Sequence, residues 1–339
     1  MLWTDIIDPV EATGIARDEQ AVYEQQWGTL ARYLPNVLVA SDHVKFFVGA
    51  NGLVDEAHYR AYNAPPEIGK GQGVRSRTID LPAISRNEPI DERTQKELRR
   101  LSDDQIRKSI EAAIKRTVQA ISDRQEKTRG ILIETGKVLV DADNFWINDD
   151  FGRDAALTVT AATLWTTGGV DRLQALSDWV DTYAAKNNGK RPGSIQMSRA
   201  VYAAFAKGDQ FRTQLVNGAS RPALQADVFG AVEAAGLPPI DIYDRSTKSG
   251  RVLSANKLHL LPAATDPEDQ DGTDLGATFW GQTVSAEIPD FGIAPAEQPG
   301  IVVAVHRAER IPYTVEVEGD SIGEPVARNA NASMSVAVL

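Results

Sequence analysis

One stretch constrains the fold more than any other. Between Ser102 and Thr135, Ile106, Ile110, Ala113, Ile114, Thr117 and Ile121 recur at steps of three and four residues. That spacing places them on one face of a helix. Ser102 with Gln105 resembles a capping box at its start. Leu98 and Leu101 extend the stripe upstream, and Gly136 supplies a stop. About 34 residues at ~1.5 Å each make a rod of roughly 50 Å, against about 30 Å for a small domain. A chain built on such a rod is elongated. The other faces carry both charge signs, with Glu111 four residues before Lys115 in the favourable order. Those charges face solvent or pair with neighbouring subunits.

The segments around this rod need support. Asp18 to Leu34 reads as an amphipathic helix stopped by Pro35, with Val22, Trp27, Leu30 and Leu34 as its stripe. Nothing adjacent in sequence offers it a packing surface, so it is read as an arm that docks elsewhere, on this chain or a neighbour. Apolar runs at Val37–Val39 and Phe46–Val48 lead into a Gly/Pro-rich stretch, Ala64 to Gly73, and then into alternating Val74 to Leu81. Strand, flexible tip, strand is the reading. A loop of that length is uncommon in a compact domain and is usually functional. An isolated two-stranded ribbon is marginally stable in water.

After the rod, Lys137–Val140 and Phe145–Ile147 flank Asp141-Ala142-Asp143-Asn144, a hairpin with a four-residue turn. Helix signals follow at Val170–Ala185, Arg199–Ala206 and Ala223–Ala235. Strand signals follow at Ser194–Met197, Ile240–Tyr243, Leu258–Leu261 and Ile301–Val305. Residues 313–318 alternate strictly, and Met334–Leu339 forms a terminal apolar strand that must be paired to avoid an open edge. The fold class is α+β, or loosely α/β.

Chemistry is largely excluded. The 339 residues contain no cysteine, which removes disulfides, thiolate zinc sites and thiol nucleophiles. The four histidines are scattered, so no metal centre is expected; His259 and His306 sit in apolar strand candidates and read as satisfied structural residues. Gly136-Lys137 fails as a phosphate loop, since Ile131 stands at the first glycine position and Val138 follows the lysine. Gly69 to Gly73 opens onto no helix. Asp266 to Gly272 would place Pro267 and Thr278 at the first and twelfth positions of a calcium loop, and both are wrong. The Asp141, Asp143, Asn144 cluster reads as a turn. No catalytic constellation and no cofactor site stands out, so an enzyme is not expected. The net charge of -11 argues against a nucleic-acid grip, which needs a Lys/Arg excess. The N-terminus lacks a signal-peptide pattern, and no apolar run approaches a membrane span.

Three stretches carry a family resemblance. They are Arg75-Ser76-Arg77 through Asn87-Glu88-Pro89; Gly136-Lys137-Val138 to Phe151-Gly152-Arg153 with Thr163-Leu164-Trp165; and Pro312-Tyr313-Thr314 through Val336-Ala337-Val338-Leu339. Together, in order, they resemble the major capsid proteins of lambda-like tailed bacteriophages, the capsid protein E family. The resemblance implies the Hong Kong 97-type fold. Residues 1–45 would be an N-terminal arm and 46–90 the extended E-loop. Residues 91–155 would be the P-domain spine helix and hairpin, 156–305 the A-domain, and 306–339 a return to the P-domain with a C-terminal strand.

It further implies hexamers and pentamers that close into an icosahedral head around packaged double-stranded DNA, assembled in the bacterial cytoplasm. Partners would be a portal protein, a decoration protein and a separate scaffolding protein, since the chain reaches its arm by residue 18. Inter-subunit contacts are expected at Trp27 and Leu30 of the arm, Lys70, Arg75 and Arg77 of the loop, and Arg107, Lys108, Glu111 and Lys115 of the spine. A crosslink from Lys70 to Asn329 or Asn331, known in some relatives, is not expected. The rival readings are an encapsulin-like nanocompartment shell on the same fold and a soluble α+β enzyme.

Overall fold

The computed structural model describes residues 6–26, 29–48, 75–90, 93–94, 96, 103–142, 145–211, 224–308, 310–311 and 314–339. Helix α1 (Pro9–Gln26) opens the chain and is followed by a short turn of 3-10 helix at Leu30–Arg32. Strands β1 (Asn36–Leu38), β2 (His43–Val48), β3 (Arg75–Asp80) and β4 (Ala83–Ile90) come next. Helix α2 (Asp103–Thr135) runs 33 residues and leads into the hairpin β5 (Lys137–Ala142) and β6 (Phe145–Asp150). Then come β7 (Thr158–Thr160), α3 (Arg172–Lys186), β8 (Ser194–Met197), α4 (Arg199–Ala206), α5 (Gln225–Ala234) and β9 (Ile240–Ile242). The remainder is β10 (Ser246–Thr247), β11 (Gly250–Arg251), β12 (Lys257–Leu261), β13 (Gly276–Trp280), β14 (Val302–Arg307), β15 (Val315–Ala327) and β16 (Met334–Ala337).

Helix α2 is the expected rod. Ile110, Ala113, Ile114, Thr117 and Ile121 are all buried on its apolar face, and Gly136 ends it at φ +72°. Its stripe packs on β15, a 13-residue strand that organises one sheet. The first half of β15 lies between β14 and β4, and its second half pairs with β13, which carries β1 in parallel on its far side. Gly319 of β15 sits under α2, where a Cβ would collide with the Thr117 methyl. The missing side chain is what lets the helix lie this close to the strand.

A second sheet has the order β7-β16-β12-β8-β9. Its strands put Leu258, Leu260, Ile195, Met197, Met334, Val336 and Ile240 on one face, in a core with α3, α4 and α5. The C-terminal strand is therefore paired on both sides, by β12 and β7.

Several expectations need correction. The N-terminal helix begins nine residues before Asp18, because Asp8 accepts the amide of Glu11 at 2.7 Å and Pro9 occupies the first helical position. It ends at Gln26 rather than Leu34. Asp141 and Ala142 continue β5 rather than forming a turn, so the hairpin is longer than expected. The expected boundary at 305/306 divides neither sheet cleanly: β13 and β14 join the β15 sheet, and β16 joins the other. Ser102, Leu98, Leu101 and Tyr313 lie outside the described residues.

Replacing Gly319 with Ala should destabilise the protein by about 1–3 kcal/mol, the usual range for overpacking a filled site. Chemical denaturation measures it; an unchanged midpoint would mean that α2 has slack above β15.

Candidate assembly surfaces and the network that positions them

Helix α1 docks on its own chain. Thr13 Oγ1 accepts from Val303 N at 3.1 Å, and its hydroxyl reaches Val303 O at 3.3 Å, so a side chain closes the free edge of β14. Arg17 donates to the carbonyls of Ile301 (3.3 Å), Pro299 (3.1 Å) and Glu297 (2.5 Å). Burial without a carboxylate hydrogen bond lowers the Arg17 pKa, and Glu297 partly offsets it. Lys115 pairs with Glu19 at 2.8 Å, and Arg107 pairs with Glu11.

These contacts redirect the spine charges. Glu111 pairs with Arg107 at 3.1 Å and not with Lys115, whose partner is on α1. Arg107 and Lys115 thus bind two helices of one chain together, with Glu111 bracing Arg107, while Lys108 remains exposed. Leu30, expected at a subunit contact, has no exposed surface and packs in the chain's own core with Tyr33, Leu34 and Leu132. Trp27 and Lys70 fall outside the described residues. Arg75 and Arg77 lie on β3, opposite Val48 and Phe46 of β2. The strand–tip–strand reading holds at its base: β2 and β3 form a two-stranded antiparallel ribbon whose Val44 and Ile79 enter the core.

A buried polar node joins α1, α2, strands β1 and β13 of the first sheet, and the segment after β9. Arg129 of α2 is fully buried. Its guanidinium donates to Glu24 at 3.2 Å, Glu126 at 3.4 Å, Thr278 Oγ1 at 2.9 Å and Asn36 Oδ1 at 2.6 Å. Asn36 Nδ2 returns to Glu24 at 2.5 Å, and Trp280 Nε1 also donates to Asn36 Oδ1 at 2.7 Å. Glu126 accepts from Leu30 N at 2.8 Å and from Tyr243 OH at 2.5 Å. Burial, followed by the adjacent Glu126 charge, pushes the Tyr243 phenol far up. Arg245 bonds Asp123 at 2.9 Å and lies over the Tyr23 ring, 4.9 Å from its centroid.

The second sheet turns its polar face toward Tyr33, beside the node. Thr158, Ser335, His259, Gln196 and Asp241 stand opposite one another across five strands. Gln196 donates to Tyr33 OH at 3.3 Å, and Tyr33 OH also reaches Asp241 at 3.1 Å. His259 is buried as expected, but it is not satisfied: neither ring nitrogen has a hydrogen-bond partner among the described residues. Glu134 is 3.9 Å away. Burial first, opposed by Glu134 and reinforced by Arg153 and Lys257, holds the imidazole down to about 4. Burial also opposes ionisation of Glu134, yet the Ser254 amide and hydroxyl, His259 and Lys257 hold it below the usual carboxylate range. Arg153 is lowered to about 10 by burial.

Other singled-out residues have local duties. Asp266 and Asp269 accept the amides of Glu268 and Asp271, both at 3.0 Å, as turn formers. Asn329 bonds Asn187 at 3.1 Å, and Asn331 accepts from Asp154 N at 2.8 Å. His306 is half-buried, 3.6 Å from Glu318. The hairpin carries a surface that sequence reasoning missed: Trp146 is 69% exposed, with Leu139 and Phe145 also exposed. The signal was present in Phe145-Trp146 at a turn, where aromatic side chains have no core to enter.

Among the described residues the chain thus combines a 33-residue helix, a two-stranded ribbon rooted by Val44 and Ile79, an N-terminal helix docked on β14 and no catalytic cluster. The chain matches the phage major capsid protein E family over residues 38–271. It belongs to that family. Comparison with functionally curated proteins gives no match. A solved structure assigned as the capsid protein of a prophage of E. coli CFT073 superposes with a TM-score of 0.63, at 14% identity, over 98% of this chain and 99% of that one. A phage-related protein from Bordetella bronchiseptica RB50 gives 0.58 at 10% identity, over 98% and 97%. The SrpI encapsulin of Synechococcus elongatus PCC 7942 gives 0.48 at 13% identity, over 91% and 86%. The capsid protein has the Hong Kong 97-type fold, and membership of a capsid family makes it a structural protein.

Two predictions follow from the buried groups. Arg129→Met should cost about 3–5 kcal/mol, because Glu24 stays buried without its cation and Glu126 keeps only Arg245, 3.8 Å away; denaturant unfolding measures it, and a loss under 1 kcal/mol would show that water reaches the node. For His259, the unfolded chain takes up the proton first as pH falls. Stability should therefore drop between about pH 6.5 and about pH 4. His259→Gln should flatten that part of the profile, and a profile parallel to wild type would assign the loss to other groups.

Proposed function

We propose that this capsid protein assembles as hexamers and pentamers into the icosahedral head of a tailed phage, enclosing double-stranded DNA without sequence-specific contact. The family match over residues 38–271 carries the reading, and the form of the protomer supports it. Residues 1–45 act as the arm, 46–90 as the E-loop, and α2 with the β5–β6 hairpin and strands β13, β14 and β15 as the P-domain, on which β1 of the arm and β4 of the E-loop pair. The sheet containing β12 and β16, with α3 to α5, acts as the A-domain.

A two-stranded ribbon gains little stability alone. Laid across the next subunit, it buries its apolar positions and ties one protomer to another. Lys70, Arg75 and Arg77 are its basic contacts, with Trp27 and Lys108 as further surface anchors. Exposed Trp146 adds an aromatic anchor of the type that dominates interfaces. The net charge of -11 suits a wall that confines DNA without gripping it. Assembly in the host cytoplasm would use a separate scaffolding protein, a portal and a decoration protein.

Electron microscopy of the protein co-expressed with the head proteins encoded beside it should show closed shells; a product that stays monomeric would refute the reading. Deleting Pro65 to Gly73 should leave a folded protomer by circular dichroism but abolish stable shells. Unchanged shell yield would remove the loop from assembly.

A further inference from the structure

Among the described residues the sheet built on β15 has three outer strands, β14, β1 and β4. Each is closed in a different way. On β14, helix α1 stands in for a missing strand. Thr13 bonds both the N–H and the C=O of Val303, and Arg17, one turn on, takes the carbonyls of Ile301 and Pro299. These are alternate residues, the set whose backbone groups turn away from β15.

Strand β1 is closed by one side chain. Pro35 and Val39 bond toward β13, so Asn36 and Leu38 between them face outward. Asn36 N donates to Pro267 O at 2.7 Å. Gln270 Nε2 donates to Asn36 O at 3.1 Å, and Leu38 N donates to Gln270 Oε1 at 3.2 Å. The amide thus offers β1 the donor and the acceptor that a neighbouring strand would offer. Its loop is braced by Asp266 and Asp269, which accept the amides of Glu268 and Asp271, and by Arg328, which donates to Asp271 O at 2.8 Å. The acidic run that resembles a calcium loop presents Gln270 to the strand.

Strand β4 carries a proline instead. Val303 faces α1, so Gly319, opposite it in the ladder, turns to Arg86 on its other side. Gly323 N reaches Pro82 O at 3.0 Å, which fixes the same alternation. Ala83, Ser85, Asn87 and Pro89 are then the residues whose backbone faces outward, and Pro89 has no N–H to offer there. A row of free backbone donors and acceptors is a template for another strand, and proline on an edge interrupts it.

We propose that the β15 sheet is closed against strand addition: Thr13 and Arg17 on β14, Gln270 on β1 and Pro89 on β4 keep a second copy of this chain from pairing edge to edge with it. These guards act in the lone protomer, whether or not it builds a shell.

Sedimentation velocity of the purified full-length protein across a concentration series tests this. Gln270→Ala uncovers Asn36 O and Leu38 N, and Pro89→Ala returns an outward N–H to β4. Each variant should self-associate at least about tenfold more tightly than wild type, the worth of one or two newly available backbone hydrogen bonds. Hydrogen exchange should place the new protection at 36–39 in the first variant and at 83–89 in the second, rising with concentration. Leu38→Pro added to Gln270→Ala removes the uncovered donor and spares the β13 ladder, because Leu38 N points to Gln270. Association should then return to the wild-type level. A variant that associates no more than wild type, new protection elsewhere, or a double variant that associates as Gln270→Ala does overturns the closure.

Discussion

A guanidinium with no access to water sets the terms for the rest of the molecule. Arg129 brings donors and no acceptor, so every element around it must bring an acceptor. Glu24 comes from α1, Glu126 from α2, Asn36 from β1 and Thr278 from β13. Moving any of these leaves a buried charge short of a partner, a penalty of several kcal/mol. The node therefore specifies one arrangement of arm, spine and sheet, even though an apolar replacement of the whole set need not be less stable. Through Glu126 it extends to Tyr243, so the segment following the second sheet is positioned by the same charges.

This centre explains why assembly features lie at the periphery. The ribbon is anchored by Val44 and Ile79 and leaves the core from there. The hairpin follows directly from the end of α2, with its aromatic tip exposed. The polar row of the second sheet, from Thr158 to Asp241, reaches Tyr33 through Gln196 and Asp241, and its unpartnered His259 lies 3.9 Å from Glu134 of the spine. On the proposed function, the parts that would meet neighbours leave a middle held together by buried polar contacts.

The sequence made the local elements legible and left the cross-chain pairings hidden. Helix α2 was visible because an apolar stripe repeats over several turns, and β8 and α4 were found at their true bounds because each is short and uniform. Strand β15 was seen only at its start, since Gly319, Gly323 and Pro325 break the alternation that a free strand would show. Those residues belong to close contacts with α2 and β13 that no local pattern encodes. The Arg129 node was invisible because its members are far apart in the chain. Charges on α2 looked solvated or intermolecular until α1 was seen to supply Glu11 and Glu19. Asp8-Pro9, in contrast, is a local helix-start signal that the reading from Asp18 passed over.

The central claim is that the protomer is complete around Arg129 and reserves its ribbon and hairpin for neighbours. Hydrogen–deuterium exchange comparing free protomers with assembled particles tests it most directly. The account predicts that residues 121–133 of α2 are already protected in the free protein, and that 43–48, 75–80 and 137–150 gain protection only on assembly. If α2 around Arg129 is unprotected until particles form, the node is a product of assembly rather than its foundation.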